Sequence, residues 1–143
     1  HGYLGWGKTP PLGSSLGLMM GAKMAYPNKT CVAFLGDAAF GMVGMDFETA
    51  VRNQIAILVV VINNGTMGGY GKALEVSEQR YHTRHLSGNY SGVAQALGGY
   101  TERVEKPEQI APALGRAQKE MAAGRPVLLE ILTREEPVLS TYW

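Results

Sequence analysis

Apolar positions along the chain follow two alternating periods. From Pro11 to Tyr26 they recur at Leu12, Leu16, Met19, Met20 and Met24, the spacing of one helix face, and Pro27-Asn28 ends the run. Small residues (Gly13, Ser14, Ser15, Gly17, Gly21) line the other faces, which predicts a helix packed closely on several sides. Thr30 to Leu35 is a short β-rich run that stops at Gly36-Asp37. Met45 to Gln54 reads as a helix with Met45, Phe47, Ala50 and Val51 turned to the core. Ala56 to Ile62 is unbroken and mostly β-branched. A strand apolar on both faces belongs in the middle of a parallel sheet covered on both sides.

Residues 64–89 hold no sustained period, and a loop of that length in a compact domain is functional or disordered. Beyond it, Tyr90 to Leu97 predicts a helix stopped by Gly98-Gly99, and Tyr100 to Val104 a strand. Pro107 to Ala123 predicts a helix opened by proline, and Pro126 to Leu132 a second buried strand. The order α-β-α-β-loop-α-β-α-β predicts an α/β fold, an open parallel sheet with helices on both faces and right-handed crossovers.

Composition narrows the partners. The 143 residues suit one domain, 1–143. The chain opens at His1 without an initiator Met or a signal-peptide pattern, so it reads as a piece of something longer. Charged residues are only 17%, against a usual figure of about 25%, as though part of the surface were covered. Glycines number 19, an excess that fits backbone lying close to a ligand or to another backbone. A net charge of +1 argues against nucleic acid and against a polybasic membrane patch. No apolar run approaches the roughly 20 residues of a membrane span. The single cysteine, Cys31, permits no internal disulfide and suits a reducing, cytoplasmic compartment; within its strand it reads as inert core.

In open parallel sheets ligands collect beyond the carboxyl ends of the strands. Two ends here turn abruptly polar: Gly36-Asp37-Ala38-Ala39 after the first strand, and Asn63-Asn64-Gly65-Thr66 after the second. If those strands are neighbours, Asp37 and Asn64 emerge side by side. A carboxylate, an amide oxygen and a backbone carbonyl are hard donors of the kind Mg²⁺ takes together with phosphate oxygens. Small residues after Asp37 let backbone N–H groups approach a phosphate. The residues therefore suggest a Mg²⁺-diphosphate site. Simpler readings exist: Asp37 as a turn cap, and Asn63-Asn64-Gly65 as a hairpin turn. The hairpin suffers because Thr66-Met67-Gly68-Gly69-Tyr70-Gly71 is no strand.

Two other motifs compete. Gly2 to Thr9 matches the Walker A pattern letter for letter, but only His1 precedes it and Pro10-Pro11 prevents a helix from opening at Lys8-Thr9. His82 and His85 have metal-ligand spacing without an evident third ligand, in a basic stretch with Arg80 and Arg84.

Gly36-Asp37-Ala38, followed 64 − 37 = 27 positions after the aspartate by the second residue of Asn63-Asn64, resembles the thiamine-diphosphate fingerprint. The stretch Gly36 to Gly69 is similar to the cofactor-binding domain of the acetolactate synthase, oxalyl-CoA decarboxylase and benzaldehyde lyase group, and the likeness extends over nearly the whole chain. Ala38 stands where glycine is commonest. The resemblance implies that Asp37, the Asn64 side chain and the Thr66 carbonyl hold Mg²⁺. It further implies that Gly36, Ala38 and Ala39 approach the diphosphate, with Met67 and Gly68 closing over it. Leu12 would sit under the bent cofactor and the Pro10 carbonyl would accept its amino hydrogen, although Lys8-Thr9-Pro10-Pro11 replaces the usual Gly-rich run. An ordinary core leucine is the alternative for Leu12.

The same resemblance implies a transferase or lyase acting on a 2-keto acid or acyl-CoA, working as a homo-oligomer. In this family a glutamate of a separate N-terminal pyrimidine-binding domain controls the cofactor's tautomer. Glu48, Glu75 and Glu78 do not match it, so the chain is expected to be half of a site and inactive alone. A non-catalytic module retaining the fold is the alternative from another class. Residues 64–89 are expected to be ordered by cofactor and partner domain, with Lys72 to Leu86 as a lid.

Overall fold

A computed structural model describes residues 2–5, 11–68 and 74–136. Four strands, β1 (Val32–Gly36), β2 (Leu58–Asn63), β3 (Tyr100–Val104) and β4 (Val127–Leu132), form one sheet in the order β1-β2-β4-β3. All three pairings are parallel. The helices are α1 (Ser14–Ala25), α2 (Asp37–Val43), α3 (Phe47–Arg52), α4 (Glu75–Tyr81), α5 (Tyr90–Ala96) and α6 (Ile110–Ala122). The open parallel α/β architecture expected from the alternating periods is the one observed.

The run Ala56 to Ile62 explains β2's central place. Alternate residues of a strand face opposite sides, and both sides here are apolar. Val59 and Val61 join Ala33, Leu35 and Leu128 in one core, closed by Leu16 of α1, Phe40 of α2, Phe47 of α3 and Ala94 of α5. Leu58 and Val60 join Val104, Val127 and Leu129 in the other, closed by Ala113 and Ala117 of α6. Each fully buried Val, Leu or Phe among them contributes roughly 1.5–3 kcal/mol relative to exposure. Coverage is uneven, because β1 is an edge strand and its Phe34 stays 66% exposed on the α6 side.

Several elements differ from the sequence expectation. The helix read over Met45 to Gln54 is a 3₁₀ turn, Gly44–Asp46, followed by α3, and Met45 lies exposed rather than in the core. On α1 only Leu16 is buried, while Gly17 and Gly21 face outward, so within the described residues α1 packs on one side. Helix α2 was not expected, because seven residues that include Gly41 give no usable period. It forms because Phe40 and Ala39 anchor it in the core, and Phe40 meets Tyr90 edge-on at 5.9 Å. Part of the stretch 64–89, expected to be irregular, is helical: α4 lies there with no buried residue. The stretch also closes on itself. Thr66 and His85 form an antiparallel bridge, Met67 N–H donates to Arg84 O at 2.8 Å, and Leu86 N–H donates to Gly65 O at 2.9 Å.

Candidate functional site

Parallel pairing of β1 with β2 matches Gly36 to Ile62. Asp37 therefore emerges one step beyond β1, beside the end of β2 at Asn63. Strand parity turns Ala33, Leu35 and Asp37 to the same face as Val59, Val61 and Asn63. Asp37 is only 2% exposed, yet both carboxylate oxygens have donors: Ala38 N–H reaches Oδ1 at 2.9 Å and Gly65 N–H reaches Oδ2 at 2.8 Å.

The turn after β2 is equally well tied. Gly65 has φ of +70°, a left-handed conformation that costs a residue with a Cβ roughly 1–2 kcal/mol. Its N–H is shared with Asn63 Oδ1 at 3.1 Å. Asn64 Oδ1 accepts from Thr66 N–H at 3.0 Å and from Thr66 Oγ1 at 3.2 Å, which turns that amide oxygen toward Thr66. The bridge to the Arg84–Leu86 segment uses the carbonyls of Gly65 and Arg84, not that of Thr66. Asp37 and the Asn64–Thr66 turn thus lie at adjacent strand ends, joined by the Gly65 N–H.

A cavity of about 510 Å³ opens there. Gly36, Asp37, Ala38 and Ala39 form one wall; Asn64, Thr66, Met67 and Gly68 form another. Leu12, 52% exposed, closes a third side. Nine of the ten residues singled out from the sequence therefore surround one space, and Pro10 lies outside the described residues. Ile62 also lines it and was missed; its place at the strand end was the available signal. The Ala38 N–H is engaged by Asp37, so of the two alanine amides only that of Ala39 has no side-chain acceptor among the described residues.

The glutamates point elsewhere. Glu48 pairs with Arg52 at 3.0 Å, Glu75 accepts from Gln79 at 3.2 Å, and Glu78 pairs with His85 at 3.1 Å. Glu78 thereby occupies one of the two histidines whose spacing suggested a metal. Among the described residues no three His, Cys, Asp or Glu side chains converge on a metal position, and no helix is long and apolar enough to cross a membrane. The oxygen set at Asp37 has one carboxylate with neutral partners, which fits a magnesium ion that shares its charge with a diphosphate.

A second, deeper layer supports the site. Glu130 on β4 is fully buried; its Oε1 accepts from Asn63 Nδ2 at 2.7 Å and its Oε2 from Ser91 N–H at 2.9 Å. Burial pushes its carboxyl up, but the Ser91 and Asn63 hydrogen bonds, with Arg103 nearby, outweigh this and hold it below the ordinary range. Burial, with the Asp37 and Glu130 carboxylates nearby, raises the Tyr90 phenol, so it stays neutral. Glu130 was missed from the sequence, where its signal was a lone charge inside an otherwise apolar run.

The family profile described as thiamine pyrophosphate enzyme, C-terminal TPP binding domain, matches residues 1–131. An acetolactate synthase large subunit of Mycobacterium tuberculosis is 39% identical over 129 residues, covering 85% of this chain and 22% of that protein. A 2-hydroxyacyl-CoA lyase of Arabidopsis thaliana is 31% identical over 134 residues, covering 89% of this chain and 22% of the lyase. Among solved structures, a thiamine diphosphate-dependent 4-hydroxybenzoylformate decarboxylase from Rhodococcus jostii superposes with a TM-score of 0.76 at 25% identity, over 89% of this chain and 24% of the decarboxylase. The chain thus spans about a fifth of the length of these relatives. With the strand-end site in place and the profile covering all but the last residues, the chain belongs to the thiamine pyrophosphate enzymes, as their C-terminal cofactor-binding domain.

Proposed function

We propose that this chain anchors Mg²⁺-thiamine diphosphate for a 2-keto acid decarboxylase or carboligase most like acetolactate synthase. The observation that carries the reading is the meeting of Asp37 with the Asn64–Thr66 turn across two parallel strand ends. Asp37, Asn64 Oδ1 and the Thr66 carbonyl would hold the ion, and the ion would hold the diphosphate. Gly36 and Ala39 leave room for the phosphates, Met67 and Gly68 flank them, and Leu12 supplies an apolar surface. The bound cofactor supplies an electron sink for carbon–carbon bond cleavage and formation. The protein's contribution is to fix that group against a single buried carboxylate and to keep one wall of the cavity apolar.

Acid–base control would come from a glutamate of an N-terminal pyrimidine-binding domain, within a homo-oligomer, since no glutamate among the described residues lines the cavity. The 31% identity to a 2-hydroxyacyl-CoA lyase supports a second reading, cleavage of an acyl-CoA substrate at the same site. Calorimetry on the full-length protein tests the anchoring function: thiamine diphosphate should bind with Mg²⁺ present and lose most of its affinity in a chelator. Equal binding in both conditions, or none in either, would refute it. Assay of carbon dioxide release from pyruvate against cleavage of a 2-hydroxyacyl-CoA separates the two substrate readings. The chain by itself should show neither activity.

A further inference from the structure

We propose that Glu130 is a positioning residue, the buried carboxylate that orients the Asn63 amide and, through it, the Gly65 turn that carries Asn64 and Thr66. The inference rests on the reading of Asn64 and Thr66 as metal ligands, and adds a residue that does not line the cavity.

Glu130 interrupts the run Val127–Leu132 and is fully buried, where a charge is destabilising unless its oxygens are satisfied. An apolar side chain fills such a place at least as well, so packing alone does not account for a carboxylate there. Its particular property is that it only accepts. With Oε1 facing Asn63 at 2.7 Å, only the NH₂ end of that amide can turn toward it. The opposite end, Oδ1, is then obliged to face the Gly65 N–H at 3.1 Å. A flipped amide would set two donors against each other at Gly65. The same Gly65 N–H reaches Asp37 Oδ2 at 2.8 Å, so the Asn63 orientation bears on the alignment of the turn with the carboxylate. The second oxygen, Oε2, takes Ser91 N–H at 2.9 Å and keeps Glu130 from rotating away.

Polarity exchange tests this in the full-length protein, with Mn²⁺ plus thiamine diphosphate as the probe and binding read by Mn²⁺ spin resonance. Glu130→Gln puts a donor where the Asn63 and Ser91 donors already point, with Arg103 Nη1 3.8 Å from Oε1, and should weaken Mn²⁺ binding by at least about tenfold, the usual cost of losing support behind a ligand. Asn63→Asp alone sets two carboxylates face to face and should do the same. In the double variant the new glutamine donates to the new aspartate and still accepts from Ser91, while the aspartate accepts from Gly65, so affinity should return close to wild type. Hydrogen exchange of the metal-free protein gives an independent reading: the peptide containing Gly65 should exchange faster in Glu130→Gln and slow again in the double variant. Unchanged Mn²⁺ affinity in Glu130→Gln, or a double variant no better than the weaker single one, overturns the inference while leaving the site reading intact. Should Glu130→Gln fail to fold, Asn63→Asp and the double variant decide by the same criterion. A wild-type protein that binds no Mn²⁺ overturns the site reading, and the inference with it.

Discussion

Asp37 and Gly65 stand 28 positions apart and are joined by one hydrogen bond, with Gly65 N–H donating to Asp37 Oδ2 at 2.8 Å. The bond links the residue that leaves β1 to the turn that leaves β2. It makes the buried carboxylate both a candidate metal ligand and a clasp on the loop bearing the other two candidates.

Replacing Asp37 tests both roles. Asp37→Asn keeps one oxygen for Gly65 but turns an NH₂ toward the Ala38 N–H and loses the charge, whereas Asp37→Ala loses both acceptors and the charge. Each should lower Mg²⁺-thiamine diphosphate affinity in the full-length protein by at least about tenfold, measured by calorimetry. Both should also reduce stability in denaturant, by about 1 kcal/mol or more, since each leaves at least one buried N–H without an acceptor. Unaltered affinity in both variants would remove Asp37 from the site.

Leu12 offers a test of the cavity's apolar wall. It is half exposed, so Leu12→Ala should change stability by no more than about 0.5 kcal/mol. If the wall contacts cofactor, affinity for thiamine diphosphate should nonetheless fall. A stability loss of about 2 kcal/mol or more would instead mark Leu12 as core in the full-length protein.

Gly13 joins the start of α1 to α2. Its φ is +87°, and a Cβ there would lie 2.6 Å from both methyls of Val43 and 3.1 Å from the Ala39 carbonyl. Backbone strain of about 1–2 kcal/mol and overpacking of about 1–3 kcal/mol both oppose Gly13→Ala. Thermal or urea unfolding should show a loss of at least about 2 kcal/mol; a neutral outcome would mean that α2 shifts freely.

A pH effect should arise far from the site. Glu102 receives Arg116 Nε at 2.8 Å and Arg116 Nη2 at 2.7 Å, and Tyr100 Oη at 2.7 Å. The Arg116 hydrogen bonds, against the opposing effect of burial, hold its carboxyl below the ordinary range. A depressed folded value means that the contribution is fully present above the unfolded value of about 4.3 and fades as pH falls through the folded one. Urea unfolding between pH 7 and pH 3 should therefore fall less steeply on the acid side for Glu102→Gln than for wild type. Parallel curves would show that the ion pair contributes nothing.

The sequence by itself determined the layered architecture and most of the candidate site. Doubly apolar β2 had to be central, because each of its faces needs a cover, and the abrupt polar endings at Asp37 and Asn64 mark strand ends whatever the packing. Tertiary structure decided what local pattern does not encode. Seven-residue α2 is too short to be stable alone and exists because Phe40 is held between its neighbours. Met45 faces outward because a 3₁₀ turn shifts the helical phase ahead of α3. Glu130 and Asn63 lie 67 positions apart, and only the parallel register of β2 with β4 brings their side chains to one face within 2.7 Å. Local pattern reports which face a residue prefers; which partner awaits it there depends on strand order, and that is set when the whole sheet assembles.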